Sequence, residues 1–163
     1  MLDRKWMTLD REPVDNLIEI ILKEMTEGER VIHVGTDAQK IDKKVDFVTC
    51  VAIIRSGGRS GHRVFYTKLT RPSKEIHGLA SKLLTETQYT IEVAQSLVKV
   101  LPEDTQFIIH VDVNPNVKWE SSRHIKEVVG WVMGSGFQHV LTKPNAWLAS
   151  HACDHAVKRK NAK

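Results

Sequence analysis

The chain has 163 residues, of which 41% are hydrophobic and 27% charged, with 9 Gly, 5 Pro and 2 Cys. That composition fits one globular domain and excludes a disordered, collagen-like or coiled-coil chain. An excess of Lys and Arg (24) over Asp and Glu (20) leaves a formal charge of +4 and a pI near 9.1, which permits a polyanionic partner without pointing to one.

The first strong periodic signal is PVDNLIEIILKEMTE at 13–27, where Leu17, Ile20, Ile21 and Met25 recur at helical spacing. Pro13 suits a first turn and Gly28 a stop, so an amphipathic helix is expected over 13–27. VIHVGTD at 31–37 follows as a strand. Its alternation puts Val31, His33, Gly35 and Asp37 on one face, and it ends on an acid.

Residues 45–55 (VDFVTCVAIIR) and 62–69 (HRVFYTKL) are rich in β-branched and aromatic residues, with a glycine-rich hairpin connection over 56–61. These three strands should form a meander. A long helical pattern then runs from about 79 to 101 and closes at Pro102. FIIHVDV at 107–113 is the fourth strand, and it too runs out on an acid, Asp112. Asn114, Pro115 and Asn116 turn the chain into a helix capped by Ser121 or Ser122 and ending near Met133. HVLT at 139–142 is a last short strand, and Pro144 and Asn145 open a terminal helix through about 158.

Three meandering strands followed by alternating helices and strands predict an α/β fold with a mixed sheet and helices on both faces. Within such a fold, two acids closing neighbouring parallel strands emerge at one carboxyl-terminal edge, where open α/β sheets hold their sites. Two carboxylates brought close repel each other unless a proton or cation lies between them, and a hard divalent ion with oxygen ligands resolves that repulsion. Either Asp alone is equally well read as a strand-ending turn residue.

The order strand-Asp, hairpin, helix with Glu, strand-Asp and final helix with Asp resembles the ribonuclease H-like nucleases. VGTDAQ at 34–39, LLTETQ at 83–88, HVDVNPN at 110–116 and LTKPNAWLASHACDHAVK at 141–158 resemble in particular the bacterial YkuK-like family. The resemblance implies a ribonuclease H-like five-stranded sheet in the order 3-2-1-4-5 with strand 2 antiparallel. To this it adds an N-terminal helical extension over 1–28 packed on a domain over 29–163. It also implies a metal-dependent hydrolase acting on phosphodiester bonds of RNA, RNA/DNA hybrid or structured DNA. Two Mg²⁺ or Mn²⁺ ions about 4 Å apart would be held by Asp37, Glu86, Asp112 and Asp154, as in two-metal hydrolysis.

Helical geometry distinguishes Glu86 from its rival Glu92. At about 100° per residue, Glu86 falls within roughly 20° of Val93 and Leu97, on an inward stripe that Val100 would complete, whereas Glu92 lies about 140° from Leu97. Asp154 stays open between two readings. It lies about 140° from Ala149, off the apolar stripe of Ala149, Ala152, Cys153 and Ala156, and so is either a solvated acid or a ligand brought in by a leaning helix. His151 and His155 share the i, i+4 spacing of zinc sites but lack a third ligand.

His33 and His110 read as buried, hydrogen-bonded imidazoles. Lys143, Asn114, Asn116 and Arg123 could contact phosphates, and Trp119, Trp131 and Trp147 are core or contact residues more readily than base-stacking ones. Nucleic acid is thus the expected partner, with a homo-oligomer allowed. The longest apolar runs fall far short of the roughly 20 residues that cross a bilayer, and no membrane partner is expected. The charged segment MLDRKWMTLDREPVDN lacks the apolar core of an export signal. Cys50 and Cys153 read as small hydrophobes in a reducing compartment, so the expected location is cytoplasmic. Two rivals remain: a nucleic-acid-binding module of the same fold that does not cleave, and an actin-like or sugar-kinase-like ATPase. The second needs two copies of the fold, and this length allows one.

Overall fold

A hairpin of two long strands, β3 (Arg30–Ile41) and β4 (Lys44–Arg55), forms the centre of the sheet, with every residue from Arg30 to Ile41 paired antiparallel across it. The turn between them places Asp42 at φ 55°. Asp tolerates this left-handed backbone because its short side chain can bond locally. The computed structural model describes residues 2–55, 62–116, 118–148 and 153, so the proposed hairpin loop at 56–61 and most of the terminal helix lie outside the described residues.

β5 (Arg63–Pro72) pairs antiparallel with the other edge of β4, while β6 (Gln106–His110) pairs parallel with β3 and β7 (Val140–Leu141) parallel with β6. The crossover from β5 to β6 runs through α2 (Gly78–Val98), and that from β6 to β7 through a 3₁₀ turn (Glu120–His124) and α3 (Ile125–Gly134). These five strands have the expected order, with β4 antiparallel to both of its neighbours.

The sheet nevertheless has seven strands rather than five. Two short strands, β1 (Trp6–Thr8) and β2 (Pro13–Val14), extend it beyond β5, with Met7 opposite Tyr66. Trp6 anchors them, buried in the main core. The first helix, α1 (Leu17–Thr26), is correspondingly shorter than 13–27. Asn16 ends the strand region and caps the helix, its side chain accepting a hydrogen bond from Glu19 N, and Pro13 belongs to β2 instead.

Ile32, Val34, Val51, Ile53 and Phe65 meet Ile21 of α1, Ile91, Val93 and Leu97 of α2, and Val128 and Val132 of α3 in one apolar core. On the opposite sheet face Val48, Cys50 and Ala52 pack with Leu148 and Cys153, flanked by Trp147. Among the described residues no helix is long and apolar enough to cross a membrane.

Two expectations about element ends are corrected. Asp37 does not end its strand, because Ala38 to Ile41 continue in pairing with β4; what ends there is the parallel pairing, since β6 matches β3 only as far as Gly35. α2 stops at Val98, which leaves Val100 exposed rather than on the inward stripe.

Candidate metal centre

The parallel register places Gly35 opposite His110. Two residues further along each chain, Asp37 and Asp112 come side by side, because alternate residues share a face. Asp112 lies just past the end of β6, yet its backbone is held on both sides. Val111 N donates to Leu141 O at 3.0 Å and Lys143 N donates to Val113 O at 3.0 Å. The same pairing brings the Lys143 side chain alongside, with Nζ 2.9 Å from Asp112 Oδ1.

Glu86 reaches the pair from α2. The helix is tied to the sheet by three buried hydroxyls: Thr90 Oγ1 lies 2.7 Å from Thr36 Oγ1, which lies 2.9 Å from Thr49 Oγ1. Thr90 Oγ1 also lies 3.0 Å from the Glu86 carbonyl oxygen. Thr36 precedes Asp37, and Glu86 stands one turn before Thr90, so this contact sets the Glu86 side chain over the acid-bearing end of β3. One carboxylate oxygen from each of Asp37, Glu86 and Asp112 lies within 4.8 Å of the others.

Glu86 is 3% exposed, and neither carboxyl oxygen receives a hydrogen bond. Its nearest cation is Lys82 of the preceding turn, Nζ to Oε1 3.3 Å. Burial, reinforced by Asp37 and Asp112 and only partly offset by Lys82, pushes its pKa up to about 8. For Lys82, burial works against the ammonium, but the carboxylates of Glu86, Asp37 and Asp112 outweigh it and raise the pKa. Glu92, by contrast, lies on the outer side and accepts from Gln88 Nε2 at 2.9 Å.

An all-oxygen donor set of converging acids, one of them buried with no partner for its oxygens beyond the Lys82 ammonium, fits a hard divalent cation such as Mg²⁺ or Mn²⁺. Asp37, Glu86 and Asp112 could hold it. Asp154, the proposed fourth acid, and the histidines at 151 and 155 lie outside the described residues. Cys153 is described, and its Sγ donates toward Gly35 O at 3.5 Å, two residues from Asp37. Burial, with Cys50 and Asp37 adding, pushes the Cys153 thiol up.

The remaining residues of interest surround this end of the sheet. Asn114 Oδ1 accepts from Asn116 N at 3.0 Å, and Asn116 Oδ1 accepts from Lys118 N at 3.1 Å, so both asparagine oxygens shape the loop after Asp112. Arg123 is exposed in the 3₁₀ turn beyond it. Trp119 is 54% exposed, whereas the Trp147 ring lies against both histidines, at centroid distances of 5.7 and 5.4 Å.

Behind the acids on the same face, His33 Nδ1 and His110 Nε2 are 2.8 Å apart. Burial lowers both pKa values, with added lowering from His62 for His33 and from His33 for His110, to about 4 and about 3. The imidazoles are therefore neutral, as expected for a buried pair.

The sequence alone does not single out Lys82 or the hydroxyls of Thr36, Thr49 and Thr90. A signal for Lys82 exists in its i, i+4 spacing to Glu86, but such pairs are common on solvated helix faces and gain meaning only when the acid is buried.

The family model described as Ribonuclease H-like matches residues 14–158. No curated protein and no solved structure matches the chain. With the matched span covering most of the sequence, and a mixed sheet of this order carrying acids on β3, α2 and just beyond β6, the chain belongs to the ribonuclease H-like family.

Proposed function

We propose that this protein is a nuclease that hydrolyses phosphodiester bonds of RNA, RNA/DNA hybrid or structured DNA with Mg²⁺ or Mn²⁺. The observation that carries this reading is the convergence of Asp37, Glu86 and Asp112 within 4.8 Å at one sheet edge. When bound there, divalent cations would supply an activated water and charge stabilisation at the leaving oxygen.

The chain's own residues divide the remaining work. Asp37 and Asp112, held level by the β3–β6 pairing, would provide the shared oxygen ligands, and Glu86 would close the site from the helix side. Asp154 is proposed as a fourth ligand. What supports it is the packing of its neighbour Cys153 against Gly35, close to Asp37. Exposed Arg123 and the loop of Asn114 and Asn116 stand where a phosphate backbone would approach, and Lys143 would serve the same end once released from Asp112. A match to the YkuK-like family within the larger group is part of the same proposal.

The ion pairs of Lys82 and Lys143 with two of the acids favour a second reading, a nucleic-acid-binding module that keeps the acidic edge without cleaving. The test is a cleavage assay on labelled RNA, RNA/DNA hybrid and branched DNA, with Mg²⁺ or Mn²⁺ and with chelator. Metal-dependent turnover supports the nuclease. Salt-dependent binding without turnover supports the module.

A further inference from the structure

The acid cluster carries its own cations. Lys82 Nζ is 3.3 Å from Glu86 Oε1, and Lys143 Nζ is 2.9 Å from Asp112 Oδ1. The two lysines arrive from opposite directions. One lies a turn before Glu86 on α2, and the other follows β7, where Lys143 N donates to Val113 O beside Asp112. Their side chains are 33% and 39% exposed, so each ammonium has a path to solvent while its partner stays where it is. Two of the three clustered acids, Glu86 and Asp112, thus each face an ammonium at salt-bridge distance, beside Asp37.

An oxygen that already faces an ammonium at 3 Å cannot also bind a divalent ion at about 2 Å without losing that partner, because two cations so close repel strongly in a partly desolvated site. We infer that Lys82 and Lys143 are built-in competitors of the divalent cation: their ammoniums hold the positive charge beside the acid cluster in the metal-free protein, and a cation enters by displacing them. The lysines thereby set the cation concentration at which the site fills. An ammonium displaced from Asp112 or Glu86 remains at the edge of the site, where it can meet a phosphate oxygen instead. The inference rests on the metal reading above.

The test is Mn²⁺ titration by calorimetry of the full chain and of Lys82→Gln, Lys143→Gln and the double variant, with Lys82→Arg and Lys143→Arg keeping the charge. Lys99, exposed at the far end of α2, serves as a control through Lys99→Gln. Competition predicts Mn²⁺ binding about tenfold tighter for each Gln variant and tighter still for the double variant, as expected for removal of a nearby unit charge. The Arg variants and the control should stay near the wild-type value. A second readout is acetic anhydride labelling read by mass spectrometry, in which saturating Mn²⁺ should raise the reactivity of Lys82 and Lys143 but not of Lys99. Equal affinity in all variants, or lysine reactivity unchanged while Mn²⁺ demonstrably binds, overturns the competition and leaves the nuclease reading intact. Failure of every form to bind Mn²⁺ overturns both.

Discussion

Thr90 on α2 and Thr36 on β3 stand 2.7 Å apart through their hydroxyl oxygens, one turn after Glu86 and one residue before Asp37. This buried contact links the helix that carries one acid to the strand that carries another. Thr90→Val keeps the shape but removes the hydroxyl, leaving Thr36 still bonded to Thr49. A loss of about 1 kcal/mol is expected, or roughly 2–4 °C in Tm. A several-fold weaker response to Mn²⁺ should accompany it, since Glu86 loses its anchor. Thermal unfolding with and without Mn²⁺ measures both, and a Tm drop with unchanged metal response would mean that Thr90 stabilises without positioning.

The raised pKa of Glu86, about 8, gives the metal-free protein a distinctive pH dependence. Above pH 4.5 the unfolded chain ionises this carboxyl while the fold keeps it protonated, so the folded state binds more protons and stability falls as the pH rises toward 8. Beyond that the effect levels off. Glu86→Gln should therefore be more stable than wild type at pH 8 without metal, and the gap should narrow toward pH 5. Chemical denaturation at the two pH values checks this. A gap that is the same at both would show that the Glu86 carboxyl is ionised in the fold.

His33 and His110 act with the opposite sign. Their folded pKa values, about 4 and about 3, lie below the ordinary imidazole value, so stability present above pH 6.5 is lost as the pH falls. The 2.8 Å contact between their ring nitrogens holds a single proton and leaves no room for two charged rings. In the Glu86→Gln background, which removes the opposing carboxyl, stability should drop between pH 7 and pH 5 by about 2 kcal/mol for each imidazole that stays neutral. Urea unfolding measures it, and a flat profile would contradict burial of the pair.

Trp6 is 1% exposed and packs in the main core although it sits in a three-residue strand near the start of the chain. Trp6→Ala should cost about 3–5 kcal/mol, the usual range for a buried aromatic. A near-neutral change in urea unfolding would show that β1 and β2 are not part of the cooperative fold.

Much of the central arrangement was legible because it depends on periodicity. Alternation in VIHVGTD and FIIHVDV puts His33 and Asp37, and His110 and Asp112, on shared faces, and the 3.6-residue repeat turns Glu86 rather than Glu92 inward. What stayed hidden depends on tertiary contact. β1 and β2 are too short to show alternation, and only their pairing beyond β5 reveals them. The start of α1 at Leu17 follows from Asn16 as cap, which outweighs the preference of Pro13 for a first turn. Lys143 reads from sequence as a phosphate contact, and only the backbone pairing of residues 111–113 with 141–143 brings it against Asp112.

Hydrolysis supported jointly by the acids of β3 and of the segment after β6 is the reading on which the others rest. Its most direct test compares wild type with Asp37→Asn plus Asp112→Asn, a change that keeps size and removes charge, in Mn²⁺-dependent cleavage of labelled RNA/DNA hybrid, RNA and branched DNA. Turnover by the wild type that chelator abolishes is expected, with a loss of at least about a hundredfold in the double variant, the scale of removing a preorganised charged group from a site. Equal cleavage by both proteins would contradict it.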